Sequence, residues 1–172
     1  RMASQPNKIR LRALEPTDIE LLYLWENDPE VWRVSGTNAP ISRERLAHFI
    51  EEQNYDIYAS CHMRLIIEAQ GIAIGSLDIF DYNPIDRRFG IGVLIYAEKN
   101  RRKGYAREAI NAIIEYGRSV LNLRQIWATI AIDNKASIAL FESCGFSQCA
   151  HRKEWINRGG VFIDELEYQL LL

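Results

Sequence analysis

A dense cluster of basic residues beside a glycine is the first feature of this 172-residue chain that could carry chemistry. Five Lys or Arg side chains lie within residues 99–107, around Gly104. A glycine lets the backbone approach a ligand closely, and the first amides of a helix have no intrahelical acceptors. Because apolar residues recur at helical spacing from Tyr105 onward, we expect this junction to bind a pyrophosphate or ribose phosphate. The alternative interpretation is a solvated basic loop ahead of an ordinary helix.

A second polar pair, Asn134 and Ser137, lies at the start of a short predicted helix. Residues three apart share a helix face, so their amide and hydroxyl groups could contact the polar arm of one ligand. The alternative is that both are simply residues of a first helical turn. Asp133 is expected to cap this helix, and Gly145 to end it.

An acidic stretch near the front of the chain could bind the opposite charge. Residues 15–30 contain six acids and no Lys or Arg: Glu15, Asp18, Glu20, Glu26, Asp28 and Glu30. A cleft wall of this kind would attract a polycation, with Glu26, Asp28, Glu30 and Trp32 as the expected contacts. Residues 32–40 are expected to form a mobile lip over that site. The alternative is a solvated helix face, with Trp25 and Trp32 in the core.

The overall charge and hydropathy exclude two classes of partner. With 21 basic and 23 acidic side chains the net charge is −2, whereas a protein that coats nucleic acid needs a surplus of Lys and Arg. The longest nearly apolar run, residues 90–97, is far shorter than the ~20 residues that span a bilayer. We therefore expect neither a nucleic-acid partner nor a membrane.

The cysteines and histidines indicate neither a disulfide framework nor a metal site. Cys61, Cys144 and Cys149 are odd in number and form no CxxC pair, and the three histidines are not at metal-ligand spacing. A reducing, cytoplasmic setting is expected, with the cysteines as small buried hydrophobes. Because Arg1 precedes Met2, residues 1–7 are expected to be a disordered remnant ahead of a single domain at residues 8–172.

Hydrophobic periodicity predicts one mixed α/β domain. Alternation of period two predicts strands at about 9–14, 63–68, 72–80, 88–96, 124–132, 146–155 and 161–170. Helical spacing predicts four helices, at about 18–28, 42–53, 105–121 and 134–144, with Pro29 closing the first. The order βααβββαβαββ places helices on both sides of one sheet.

Taken together, two motifs about thirty residues apart resemble those of the GCN5-related N-acetyltransferase (GNAT) family. Residues 101–106, Arg-Arg-Lys-Gly-Tyr-Ala, match its acetyl-CoA loop, in which Gln or Arg is followed by x-x-Gly-x and then Gly or Ala. Residues 134–146 match its second motif, Asn-x-x-Ala/Ser-x-x-Leu-Tyr-x-x-x-Gly-Phe, except at Phe141. The resemblance extends over residues 8–171. Segments such as Leu-Asn-Leu at 121–123 are similar to the spermidine acetyltransferase and ribosomal-protein N-terminal acetyltransferase branches.

This resemblance implies a fold and a reaction. The fold would be a mostly antiparallel, twisted sheet of about seven strands flanked by about four helices. The reaction would be direct transfer of acetyl from acetyl-CoA to a small-molecule primary amine. A polyamine such as spermidine is the leading candidate for the acceptor, and the enzyme is expected to be a homodimer or higher homo-oligomer. The residues implied to contact acetyl-CoA are Leu94, Ile95, Tyr96, Arg101, Arg102, Lys103, Gly104, Tyr105, Ala106, Arg107, Asn134, Ser137 and Phe141. The backbone amide of Leu94 is expected to polarise the acetyl carbonyl.

Two positions depart from the family's catalytic pattern. Many members have a Tyr that protonates the leaving thiolate where this chain has Phe141, and a Glu that serves as base where it has Gly90. Tyr96, Tyr105, Ser137 and Cys144 remain open as substitutes. Our hypothesis is that positioning and the oxyanion amide supply most of the rate, because a thiol of pKa ~8.5 leaves without an acid.

Two rival functions follow from the same residues. The enzyme rival acetylates a ribosomal or other protein N-terminus, which would need an open groove for a peptide. The rival of another class is a non-catalytic or weakly active module that binds acetyl-CoA, and Phe141 and Gly90 favour it.

Overall fold

A computed structural model describes residues 8–35, 37–53 and 56–172, which form one mixed α/β domain. The strands are β1 (Ile9–Ala13), β2 (Met63–Ala69), β3 (Ile72–Asn83), β4 (Arg88–Ile95), β5 (Gln125–Ala131), β6 (Ser147–Arg158) and β7 (Val161–Leu171). The α-helices are α1 (Ile19–Glu26), α2 (Pro29–Ser35), α3 (Arg43–Glu52), α4 (Ile57–Ser60), α5 (Tyr105–Ser119) and α6 (Lys135–Ser143). Short 3-10 turns occupy Pro16–Asp18 and Glu98–Asn100. Residues 1–7 and Gly36 of the expected lip lie outside the described residues.

The seven strands form one sheet in the order β1-β2-β3-β4-β5-β7-β6. Every neighbouring pair is antiparallel except β4 and β5, which run parallel and are linked through α5. The expected mostly antiparallel sheet of about seven strands is confirmed. Since a parallel pair requires a crossover connection, α5 has to pass over one face of the sheet.

Helices cover both faces of the sheet, as the periodicity predicts. On one face, Ile110 and Ile113 of α5 pack with Phe89 of β4 and Ile126 of β5 in the larger hydrophobic cluster. On the other face, α1 and α3 pack on Ile66 of β2 in a smaller cluster. The apolar stripe of α5 is therefore what holds the β4–β5 region against its helix layer.

The structure corrects several local predictions. Pro29 begins α2 rather than closing the preceding helix, because proline is well suited to a first helical position, where no N–H is needed. The short helices α2 and α4 are the two beyond the four predicted. Asn134, not Asp133, caps α6, and Cys149 is exposed rather than buried.

Candidate active site

A cleft opens between β4 and β5 where the two parallel strands separate. Their register covers three residue pairs and ends at Gly90–Trp127, while β4 continues to Ile95 and β5 to Ala131. Beyond that point the edge of β4 that faces β5 is unpaired within the described strands. Unpaired strand edges bind extended ligands through main-chain hydrogen bonds. This edge is therefore a ready site for an extended chain that carries amide groups.

The alternation of β4 decides which of its amides face the cleft. The carbonyl of Arg87 accepts the N–H of Arg124 on the β5 side, at 2.7 Å, and the N–H of Tyr96 donates to Ile74 on the β3 side, at 2.9 Å. Because peptide groups alternate along a strand, odd-numbered residues of β4 face the cleft and even-numbered residues face β3. The expectation that Leu94 supplies the oxyanion amide is therefore corrected.

The close approach of β3 to the Leu94 carbonyl supports this correction. A Cβ atom on Gly75 would lie 2.0 Å from the carbonyl oxygen of Leu94, so the Leu94 peptide edge faces β3. The cleft-facing amides on either side of it belong to Val93 and Ile95.

The basic loop after β4 leads into the N-terminus of α5. Gly104 caps that helix with a φ of +82°, a left-handed conformation that favours glycine. The first helical hydrogen bond of α5 runs from the N–H of Glu108 to the carbonyl of Gly104. The amides of Tyr105, Ala106 and Arg107 therefore have no intrahelical acceptor. The helix start therefore presents a set of free N–H donors, as the sequence predicts.

The cations around this loop divide into two groups. The Arg101 guanidinium donates to the carbonyl oxygens of Ile95 at 3.0 Å and Tyr96 at 2.9 Å, which ties the loop to the end of β4. Arg102, Lys103 and Arg107 are exposed, and Arg102 lies 3.5 Å from Glu98 with 85% of its side chain accessible. Three exposed cations thus surround the α5 amides, with Arg102 in an exposed ion pair, whereas Arg101 is held by the end of β4.

The second motif places its residues at the start of α6. The Asn134 side chain accepts the N–H of Ser137 at 3.2 Å, so it acts first as a helix cap. Because parallel strands end at the same edge of a sheet, the starts of α5 and α6 both lie at the mouth of the cleft. The side-chain nitrogen Nδ2 of Asn134 forms no hydrogen bond within the described residues and remains available to a ligand.

Phe141 lies in the hydrophobic core. Only 4% of it is accessible, and its ring packs edge to face on Phe146 with centroids 5.1 Å apart. Phe141 has no hydroxyl that could protonate a leaving thiolate. Burial raises the pKa of Cys144, so its thiol stays protonated and does not serve as a nucleophile.

The acidic stretch is largely neutralised by arginines from other elements. Ion pairs join Asp18 to Arg12 at 2.8 Å, Glu20 to Arg43 at 2.8 Å, and Glu26 to Arg64 at 2.5 Å. Arg64 is itself held by a second carboxylate, on Asp78 at 2.6 Å. The stretch is therefore no continuous acidic wall, because β1, β2 and α3 supply compensating charges that the local sequence lacks.

Of the four expected acceptor contacts, Asp28 lines a cavity at the end of β4. Trp32 donates its indole N–H to the Glu26 carbonyl at 2.6 Å, and Glu30 is exposed beside Arg33. Asp28 bounds a cavity of about 380 Å³ between α1, α2 and the end of β4, and has no cationic partner among the described residues.

Asp28 is held at that cavity by Tyr96. The Tyr96 hydroxyl donates to Asp28 Oδ2 at 2.8 Å, and its ring stacks on Trp25 with centroids 5.5 Å apart. The hydrogen bond to Asp28 raises the pKa of Tyr96, so this hydroxyl stays protonated. The sequence indicates both residues as candidates but does not predict their contact, since they lie 68 positions apart.

Aromatic rings fill the space beside Gly90, the position at which many family members have a glutamate. A Cβ atom on Gly90 would lie 2.4 Å from Cε2 of Phe80 and 2.9 Å from Cε2 of Trp127. Those two rings pack edge to face with centroids 5.2 Å apart. A side chain at position 90 is thus excluded by packing, and sequence reasoning missed this pair because β3 and β5 are far apart in the chain.

Within the described parts of the chain, no group of three or more His, Cys, Asp or Glu residues could hold a metal ion. Across the same residues, none of the helices combines the length and apolar character needed to span a membrane.

Comparison with known proteins supports one family. The family model described as "Acetyltransferase (GNAT) domain" matches residues 8–147. The chain is 29% identical over 159 residues to a spermidine N(1)-acetyltransferase of Vibrio cholerae, covering 92% of this chain and 90% of that relative.

Solved structures agree with this match. The fold is similar to that of spermidine N-acetyltransferase from Vibrio cholerae in complex with CoA and spermine, with a TM-score of 0.86, 26% identity and 96% of each chain covered. It is also similar to a dodecameric structure of spermidine N-acetyltransferase from that organism in an intermediate state, with a TM-score of 0.79 and 26% identity over 96% of this chain and 95% of that one.

Proposed function

Because the chain belongs to the acetyltransferase (GNAT) family and is an acetyl-CoA-dependent N-acetyltransferase, we propose that its acceptor is a polyamine such as spermidine. The observation that carries the proposal is the pairing of two sites of opposite charge around one cleft. The α5 amides and exposed cations suit an anionic co-substrate, and Asp28 suits a cation. The relatives named for spermidine acetylation support the same acceptor class.

We propose that acetyl-CoA binds along the cleft from the α5 end. The amides of Tyr105, Ala106 and Arg107, with Arg102 and Lys103, would hold its pyrophosphate. The open edge of β4 would pair with the pantetheine amides, and the free amide nitrogen of Asn134 would contact the same arm. Arg101 holds the end of β4 in place, since its partners are the Ile95 and Tyr96 carbonyls.

In the proposed reaction, the neutral amine nitrogen attacks the thioester carbonyl directly. The amides of Val93 or Ile95 stabilise the developing oxyanion, a new C–N bond forms and the C–S bond breaks. The nitrogen loses one proton to water and the departing thiolate gains one from water, since Phe141 has no hydroxyl to donate it. Positioning and the oxyanion amide therefore carry most of the rate.

Asp28 is the front residue that we propose as an acceptor contact. Its carboxylate faces a cavity and is bonded by the neutral Tyr96 hydroxyl, which an ammonium can replace. Glu26 is already neutralised by Arg64, and Glu30 and Trp32 lie outside that cavity. Because Asp28 would bind an ammonium group other than the reacting amine, this contact favours an acceptor that carries more than one amino group.

The test is CoA release against a panel of amines. With saturating acetyl-CoA, spermidine and spermine should give a much higher kcat/KM than either propylamine or a peptide with a free N-terminus. A peptide as the best acceptor would favour the protein N-terminal acetyltransferase. Acetyl-CoA binding without CoA release from any amine would favour the binding module that Gly90 and Phe141 suggest.

Self-association and a reducing setting complete the proposal. Exposed Trp155, Val161 and Phe162 lie on β6 and β7, and a relative forms a dodecamer, so we propose a homo-oligomer. Light scattering on purified protein tests this, and a monomer would contradict it. The free thiols Cys61, Cys144 and Cys149 fit a cytoplasmic setting.

A further inference from the structure

A second cavity, of about 710 Å³, lies at the closed end of the cleft, where β4 and β5 are paired. Its lining includes Trp127, Glu167, Gln169 and Arg88. This volume is in the range of small-molecule sites, and the lining combines the rings of Tyr82 and Trp127 with mostly polar side chains.

The strand register places this cavity beside the point at which β4 and β5 separate. Trp127 is the last β5 residue paired with β4, and it also lines the cavity. Glu167 of β7 pairs with Thr129, two residues farther along β5 on the same face. Because neighbouring strands are about 4.8 Å apart, the Glu167 side chain lies one strand away from the open cleft.

This face of the sheet is the one from which an acceptor can approach. The opposite face is closed by α5 and α6, whose apolar residues pack on Phe89 and Ile126 in the larger cluster. On the near face Thr129 is exposed, and a Cβ atom on Gly92 would meet nothing within 4 Å. From Gly92 to Tyr96 is about 13 Å along the strand, which is the distance that an extended acceptor would span on its way toward Asp28.

The charges around Glu167 leave its carboxylate available. Arg152 lies 3.4 Å away, but 44% of that side chain is accessible and its guanidinium also lies over the Trp155 ring, 5.0 Å from its centroid. Arg88, the other cation of the cavity, pairs with Asp86 at 3.0 Å. An exposed ion pair of this length is weak and can be replaced by a better-placed cation.

We propose that this cavity receives the reacting end of the acceptor, with Glu167 accepting a hydrogen bond from its amino group. The Trp127 ring would pack on the adjoining methylene groups, and the rest of the molecule would run over Gly92 toward Asp28. Glu167 thereby supplies, from β7, the carboxylate that packing excludes at Gly90. This assignment rests on the proposed amine acetylation.

The test compares Glu167→Gln with Glu165→Gln, a carboxylate on the same strand and face that lies outside the cavity. For Glu167→Gln we expect kcat/KM to fall roughly 10- to 100-fold for both spermidine and propylamine, because one charge-assisted hydrogen bond is lost. The affinity for acetyl-CoA and the melting temperature should be unchanged. The Glu165→Gln variant should retain the wild-type kcat/KM.

Wild-type kcat/KM in Glu167→Gln, or an equal fall in Glu165→Gln, would overturn the assignment. If the wild-type protein acetylates no amine, the proposed function fails, and calorimetric binding of spermidine then decides the assignment. Binding by the wild type that is lost in Glu167→Gln would support it. Equal binding by both proteins, or no binding by the wild type, would overturn it.

Discussion

The hydroxyl of Tyr96 donates a 2.8 Å hydrogen bond to Oδ2 of Asp28, which joins the end of β4 to the start of α2. This contact holds an uncompensated carboxylate beside the mouth of the cleft. Replacing Asp28 by Asn should raise KM for spermidine roughly 10-fold, because one charge-assisted hydrogen bond is lost, while KM for acetyl-CoA and for propylamine stays the same. Steady-state kinetics with each amine provides the measurement.

Glu30→Gln is the matched control for Asp28→Asn. Glu30 is an exposed acid two residues away that faces Arg33 rather than the cavity. Its replacement should leave KM for spermidine unchanged. Equal increases in KM from both substitutions would indicate general electrostatic attraction rather than a contact at Asp28.

Gly104 is expected to be required for acetyl-CoA binding beyond its effect on stability. Gly104→Leu places a side chain at the helix start where the α5 amides are free, and should abolish detectable acetyl-CoA binding in calorimetry. Gly71→Leu is the control, because Gly71 has a φ of +77° and equally open surroundings in the β2–β3 turn. Both variants should lose about 1–2 kcal/mol of stability from left-handed strain. Retained affinity in Gly104→Leu would contradict the phosphate-site assignment.

Phe141→Tyr tests whether the reaction lacks a proton donor. The added hydroxyl should raise kcat by protonating the leaving thiolate, and it should lower the free energy of unfolding by about 1–3 kcal/mol because Phe141 is buried. Phe146→Tyr, on the other ring of the same aromatic pair, should cost similar stability without changing kcat. A kcat that is unchanged or lower in Phe141→Tyr, with intact acetyl-CoA binding, would count against the hypothesis.

Two glycines on one face of β4 should respond differently to alanine. Gly90→Ala should lower the free energy of unfolding by about 1–3 kcal/mol, since its Cβ would overlap the Phe80 ring. Gly92→Ala should cost little, because a Cβ atom there meets nothing. Denaturant titration of the two variants gives the comparison, and equal losses would show that aromatic packing is not what excludes a side chain at position 90.

The ion pair between Asp18 and Arg12 should make stability depend on acid pH. Burial opposes ionisation of Asp18, but hydrogen bonds from Arg12 and the Glu15 backbone outweigh it and lower the pKa of the carboxyl. Because the folded pKa is depressed, its contribution to stability is present above about pH 4 and is lost as pH falls through the folded value.

Asp18→Asn should therefore cost about 3 kcal/mol at pH 7, and less and less below pH 4. Urea unfolding at several pH values measures the difference. Glu20→Gln serves as the control, since its pair with Arg43 is exposed and should change stability little at any pH. A cost of Asp18→Asn that did not depend on pH would remove the carboxylate explanation.

Features encoded locally could be predicted from the sequence. The apolar period of α5 predicts residues 105–121, and the helix runs Tyr105–Ser119. The loop around Gly104 is predictable for the same reason, since all of its donors are consecutive in the chain. In these regions the residues that decide the structure are neighbours in sequence.

Features that depend on strand register could not be predicted. Arg64 neutralises Glu26 from 38 positions away, and Phe80 and Trp127 meet across β4. The orientation of the Leu94 amide depends on pairing with β3, which no local pattern specifies. The expected acidic wall was wrong for this reason, because its compensating arginines come from other elements.

The central claim is that acetyl passes from acetyl-CoA directly to an amine nitrogen at the β4–β5 cleft. Mass spectrometry of the amine after incubation of spermidine with acetyl-CoA and enzyme tests it most directly. The wild-type protein should add one acetyl group to spermidine for each CoA released, and Gly104→Leu should add none. Release of CoA without an acetylated amine, or no acetylated product from any primary amine, would contradict it.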